Sequence, residues 1–241
     1  VNASYKFSGT NKLSIKNSYN QTARDQVNRS LSRDENNSSD YRNTVISWNE
    51  RTSWSTQLSG EHTFPSVGGV EFHWMTSLAG SKRAEPDRKE VSYFRPIDTQ
   101  EPYQIGVSRR SWDNLTERSK NLNTDFAIPL GSSKIKFGAS VDGRTSEYKV
   151  QFLSITPPWN DSLIHLDLER VYNPENFGPG EFTVGKDSKE YDNYDADQNV
   201  YAGYVMADVY FNIINQQFRA VGGLRLENSE QHVNIAPLAL I

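Results

Sequence analysis

The stretch RAVGGLRLENSEQHV, residues 219–233, decides how this chain folds. Counting Phe218 with it, Phe218, Ala220, Gly222, Leu224 and Leu226 fall on one parity. Arg219, Val221, Gly223, Arg225, Glu227 and Ser229 fall on the other. Side chains of a strand alternate between its two faces, so a period of two predicts a strand with one apolar and one charged face.

The same period recurs along the chain. Val1, Ala3, Tyr5 and Phe7 oppose Asn2, Ser4 and Lys6, and Leu13, Ile15 and Tyr19 oppose Ser14, Lys16 and Ser18. Trp54, Leu58 and Phe64 oppose Ser55, Gln57, Ser59 and Glu61. Val70, Phe72, Trp74 and Leu78 oppose Glu71, His73 and Ser77, and Leu122, Phe126 and Ile128 oppose Asn121, Asn123 and Asp125. Ile135, Phe137, Ala139 and Val141 oppose Lys134, Lys136, Ser140 and Asp142. Tyr201, Gly203, Val205, Ala207, Val209 and Phe211 oppose Tyr204, Met206 and Asp208. With the opening stretch this makes about eight strands, and helical periodicity is hard to find. The predicted class is all-β, an antiparallel meander of about eight long strands.

Connection lengths alternate. Residues 8–11, 65–69, 129–133 and 212–217 are short and rich in Gly, Pro, Ser and Asn, as hairpin turns require. Residues 24–50, 82–108 and 149–198 read as long polar loops. Loops beyond about 12–15 residues are uncommon in compact soluble domains. Tight turns at one end and long loops at the other are the grammar of a transmembrane β-barrel.

Composition narrows the function. The chain has 241 residues, no cysteine and a net charge of −4, which excludes disulfides and Cys nucleophiles and gives no basic footprint for a nucleic acid. Mean hydropathy is −0.73, and no run of about 18 apolar residues could form a membrane helix. A barrel remains open, because its strands carry only every second residue as apolar. The charged parity, with Lys136, Asp142, Asp208, Arg219, Arg225 and Glu227, suits a wet or plugged lumen. The apolar parity includes Ala139, Gly203, Ala207, Ala220 and Gly222, small residues that lipid tolerates because it fills space itself. Tyr19, Phe64, Tyr148, Tyr201, Tyr210, Phe211 and Phe218 near strand ends fit interfacial girdles.

These residues carry a resemblance. YDNYDADQNVYAGYVMADVYF…FRAVGGLRLENSEQHVN (191–234) resembles the barrel of TonB-dependent outer-membrane receptors, particularly the Bacteroidetes type. The family's G-L-R-Y-E strand corresponds to Gly223, Leu224, Arg225, Leu226 and Glu227, with Leu in place of the aromatic. SKIKFGASVDGRTSEY (133–148) is similar to a K-x-G strand of the family, and ENFGPGEFTV (175–184) to part of a long loop. The resemblance covers most of the chain and is strongest over 120–234. It implies a partial barrel, residues 1–241, set in the outer membrane of a bacterium, without the plug domain and without most of the family's strands. The implied function is energised uptake of a scarce nutrient such as a siderophore, vitamin, glycan or peptide. The implied partners are outer-membrane lipid, the nutrient, and a TonB complex acting through the plug absent from this chain.

VNASYKFSG carries no signal-peptide pattern and NIAPLALI no turn signal, so the chain reads as an internal piece whose isolated sheet would be open and curved, with two free edges. Catalytic chemistry is not indicated. No P-loop, nucleophile elbow or zinc spacing occurs. His62 and His73 lie on opposite parities, so a shared metal is not expected. DNYDADQN (192–199) lacks the Gly and distal Glu of a calcium loop and reads as a solvated acidic loop entering a strand, and RSLSRDENNSSD (29–40) reads as a mobile surface loop. No enzyme activity and no cofactor are expected. The individual lumen charges read most simply as cross-strand ion pairs of the wall. The alternative function is a soluble or surface-attached β-sheet module that binds a ligand or glycan. A hydrolase with acids in the long loops is a third reading. The width of the apolar band separates them, because lipid-crossing strands need about 9–11 residues and sandwich strands average nearer 5–6.

Overall fold

The computed structural model describes residues 2–159, 161–214 and 216–235. Val1 and the segment 236–241, most of NIAPLALI, lie outside the described residues. The fold is all-β. Eight long strands form an antiparallel meander: β1 (Asn2–Ser8), β2 (Asn11–Asp34), β3 (Ser39–Phe64), β4 (Val70–Pro96), β6 (Ser108–Leu130), β7 (Ser133–Thr156), β9 (Tyr194–Ile213) and β10 (Gln216–Ile235). Two short strands, β5 (Gln104–Ile105) on β4 and β8 (Thr183–Lys186) on β7, belong to loops. The sheet is open, and β1 and β10 are its edges among the described residues.

The four short connections lie at one end, the turn end. At Gly131 the two-residue turn between β6 and β7 takes φ +63°, a left-handed conformation that glycine adopts without strain. The other end holds the longer excursions. The strands run far past where the alternation ends. Residues 24–50, expected as a loop, are mostly a strand hairpin closed by a turn at 35–38, so RSLSRDENNSSD is a strand pair and tight turn rather than a mobile loop. The Asp34 carboxylate accepts the Asn36 and Asn37 amides at 3.0 and 3.2 Å and closes that turn. Much of 82–108 is strand, and 149–198 keeps its loop character only between β7 and β9. The acidic run 192–199 lies largely in β9. The sequence loses its apolar signal here because both faces are polar, while backbone pairing and cross-strand ion pairs persist. Arg33 opposes Asp40 and grips it at 2.9 and 3.3 Å, and this guanidinium holds the Asp40 carboxyl below the ordinary range.

Register puts the expected apolar parities on one face. Direct partners form rows such as His62, Phe72, Phe126 and Phe137, whose rings stack at centroid distances of 6.0, 4.5 and 5.1 Å. The band occupies about 7–11 residues of each strand next to the turn end: Ile135–Val141 on β7, Phe218–Leu226 on β10 and Tyr201–Phe211 on β9. Its side chains are uncovered, with Leu224 77% and Leu226 81% exposed. Two of its glycines are packing sites. Trp54 opposes Gly80 and Trp74 opposes Gly60, and a Cβ at either glycine would meet the indole within 2.6 Å. His62 is a polar residue within the band, beside Asn11. The Trp74 N–H can only donate, and it gives its proton to His62 Nε2 at 3.1 Å. Nδ1 therefore carries the proton and donates to Asn11 Oδ1 at 2.7 Å.

The buried cluster sits elsewhere, at the loop end. Val91, Tyr93, Ile105, Ile155, Val171 and Phe182 form it. A bulge at Pro86–Asp87, with Asp87 at φ +56°, inserts one residue into β4 and reverses its parity. Lys89, Val91 and Tyr93 thereby join the face of the apolar band. The excursion between β7 and β9, with α1 (Asp161–Ile164) and α2 (Leu168–Val171), folds over them. The Tyr93 hydroxyl donates to the Leu166 carbonyl at 2.9 Å and fastens it.

Candidate functional site

The opposite face carries the candidate residues. Odd positions of β10 oppose even positions of β9, which oppose even positions of β7. Arg219, Arg225, Glu227, Asp208, Lys136 and Asp142 therefore share one face, as the alternation predicts. They form separate groups rather than one pocket. Near the turn end Arg219 clasps Asp208 in a two-point pair at 2.7 and 2.8 Å, and the Asp208 side chain is only 4% exposed. The same guanidinium lies 5.3 Å from the Tyr210 ring. Farther along β10, Arg225 pairs with Glu227 at 3.0 Å, and both are about half exposed. Asp142 accepts the Asn121 amide from β6, its register partner. Lys136 stands between Ala127 and Met206, with no charged group directly opposite. The cross-strand ion-pair reading thus describes Asp208 with Arg219, whereas Arg225 and Glu227 pair along one strand and Asp142 takes an amide partner.

Two girdle residues belong to this face and not to the apolar one. Tyr210 opposes Arg219, and Tyr148 opposes Tyr194, with ring centroids 5.4 Å apart. Their place near strand ends suggested a girdle, but their parity contradicts it.

The structure adds a row that the sequence reading missed. Lys12, Glu61, His73, Asp125, Gly138, Tyr204 and Arg225 are successive register partners across seven strands. Lys12 pairs with Glu61 at 3.0 Å. The Tyr204 hydroxyl donates to Asp125 Oδ1 at 2.5 Å, although β7 lies between their strands. Gly138 makes that reach possible. A Cβ there would lie 2.6 Å from Tyr204 Cε1, 2.8 Å from Asp125 Oδ1 and 2.4 Å from the Thr124 carbonyl oxygen. A hollow of about 350 Å³ opens along this row, lined by Glu61, His73, Met75, Asn123, Asp125 and Arg225 among others. Alternation alone places each of these residues on the charged face. What it lacks is the register that lines them up.

A second hollow, of about 450 Å³, lies toward the loop end of the same face, where Asn43, Glu90, Ser92, Arg109 and Ser154 meet Asp187 from the excursion. Ser154 donates to Asp187 at 3.0 Å. Both hollows are open troughs whose linings mix polar side chains with apolar surface, including Val45, Val91 and Val107 in the second. Among the described residues no three His, Asp or Glu side chains gather as a metal cluster, and no helix is long and apolar enough to cross a membrane. No protein-family model matches the chain, and no curated protein matches it either.

Proposed function

We propose that this chain forms a section of the wall of a bacterial outer-membrane β-barrel, of the TonB-dependent receptor kind, serving energised nutrient uptake. The observation that carries the membrane part is the one-sided apolar band. It is uncovered, on β9 and β10 it is about as wide as strands need to cross hydrocarbon, and beyond it β2 and β3 carry mostly polar residues on both faces. A soluble sheet would cover such a face, because monomeric proteins rarely expose contiguous apolar patches of more than a few hundred Å². The receptor part rests on the strand motifs at 133–148 and 191–234, and on a polar face with open troughs at two depths. In this reading the polar face lines the lumen and meets a plug and a passing solute, and the loop-end excursions meet the solute first. The chain does no bond chemistry. The energy for transport comes from a TonB complex acting through the plug.

Single-tryptophan variants test the membrane assignment. Trp74 lies within the band, and Trp112 lies far beyond it on the same face. In vesicles of lipids brominated on their acyl chains, Trp74 fluorescence should be quenched strongly and Trp112 fluorescence little. Equal quenching, or a chain that stays in the aqueous phase, refutes the membrane reading and favours a soluble sheet module.

A further inference from the structure

Just past the apolar band, on the same face, the central strands carry three exposed cations: Lys82 on β4, and Arg118 and Lys120 on β6. Lys82 opposes Thr52 and Thr116, Arg118 opposes Gly80 and Thr145, and Lys120 opposes Leu78 and Gly143. No carboxylate stands opposite any of them. Other cations of the sheet, such as Lys12, Arg33, Arg83 and Arg219, each have an acidic partner. Three acids on this face near the cations are engaged elsewhere, the first of them Asp197, which pairs with His232 at 3.3 Å. Glu50 accepts the Gln21 amide at 2.6 Å, and Glu147 pairs with Lys149. Three like charges two residues or one strand apart repel one another, and a bound anion relieves that repulsion.

An apolar groove begins on β7 two residues from Gly143, the register partner of Lys120. It has a volume of about 890 Å³, with Ala139 and Gly203 in its floor and Val141, Tyr201, Leu224 and Leu226 among its walls. Its floor is open because Gly203 has no side chain, and a Cβ there would find only the Gly138 carbonyl oxygen, at 3.8 Å. The Lys120 side chain leans toward this groove. A Cβ at Gly143 would lie 2.9 Å from Lys120 Cε, and Gly143 is two residues, about 7 Å, along β7 from Val141.

We infer that the two features form one site for a phosphate-bearing lipid, with the phosphate on Lys82, Arg118 and Lys120 and an acyl chain in the groove. The inference rests on the membrane reading, which sets the cations at headgroup level and the groove in the hydrocarbon. The phosphate oxygens accept from the ammonium and guanidinium groups, with the Thr116 and Thr145 hydroxyls within the same patch. The groove supplies what exposed cations lack in salt, a contact that ions do not screen.

The test uses the full chain in a non-ionic detergent, with binding followed by native mass spectrometry. The probes are phosphatidic acid, diacylglycerol with the same chains, and inorganic phosphate. Phosphatidic acid should be retained and the other two should not. The triple variant Lys82→Gln, Arg118→Gln, Lys120→Gln should bind it about 10-fold more weakly or worse, since each basic residue near a membrane surface contributes severalfold. Gly203→Leu, which fills the groove without touching the cations, should weaken it as well. Retention of phosphatidic acid undiminished in the triple variant overturns the site, as does equal retention of diacylglycerol. Binding of inorganic phosphate with the affinity of the lipid overturns the lipid assignment. A chain that stays soluble and unaggregated without detergent overturns the membrane reading, and this inference with it.

Discussion

Ala139 and Ser140 are consecutive, small and on opposite faces of β7, so one substitution made at each in turn measures what each face meets. Ala139 belongs to the outward run Ile135, Phe137, Ala139, Val141. From Ser133 at the turn to Ala139 is about 20 Å along the strand, or about 14 Å of depth at a tilt of about 45°. That is close to the middle of an apolar band about 25 Å tall, where Arg on a barrel's lipid face costs about 2–4 kcal/mol. Ala139→Arg should therefore lower the folded-to-unfolded ratio by about 30- to 900-fold. Ser140 faces Asn123 and Ala202, with Asp142 two residues on, so an Arg there stays in a polar setting. Ser140→Arg should change stability by no more than about 0.5 kcal/mol. The assay is urea unfolding in lipid vesicles, followed by tryptophan fluorescence. Equal losses at the two positions, or a larger loss at Ser140, would refute the assignment of the apolar face to lipid.

Three further outcomes follow from the geometry. Gly138→Ala should cost about 1–3 kcal/mol, because the Thr124 carbonyl cannot yield as a side chain could, whereas Gly203→Ala should be nearly neutral; thermal unfolding of the two variants checks the contrast. Tyr93 and Tyr172, at the loop end and outside the membrane band, are each pushed up to about 12 by burial, against an ordinary value of 10.0. A raised folded value means that their stabilising effect is whole below pH 10 and is lost as pH rises through about 12. The excursion over Val91 and Tyr93 should thus become protease-sensitive in that window, together with the tyrosinate absorbance rise, and retained protection there would refute the coupling. Arg219→Gln should destabilise more than Arg225→Gln, because it strands the enclosed Asp208 carboxylate while Glu227 remains in water; urea midpoints of the two variants report the order.

Much of this architecture was legible in the chain itself. Period-two alternation needs no partner to be read, so the strand class, the two faces and the sharing of one face by Asp208, Arg219, Arg225, Glu227, Lys136 and Asp142 came from residue order alone. The tight turns were legible because Gly, Pro, Ser and Asn act through local backbone preference. The polar halves of β2, β3 and β4 were not, because a strand wetted on both faces has no apolar period and reads as loop.

What only the tertiary structure decided are relations between strands. Residues 72, 126 and 137 look alike in any register, and only the pairing makes them a stacked row. The bulge at Pro86–Asp87 turns Val91 and Tyr93 to the other face, a one-residue slip visible only against the neighbouring strands. Tyr204 reaches Asp125 across an intervening strand because Gly138 stands beneath it. Within each unbroken run of a strand, the sequence by itself determined which side chains share a face, since that follows from the geometry of one backbone. It left open what each side chain meets, since that depends on register, which is settled by pairing among strands far apart in the chain.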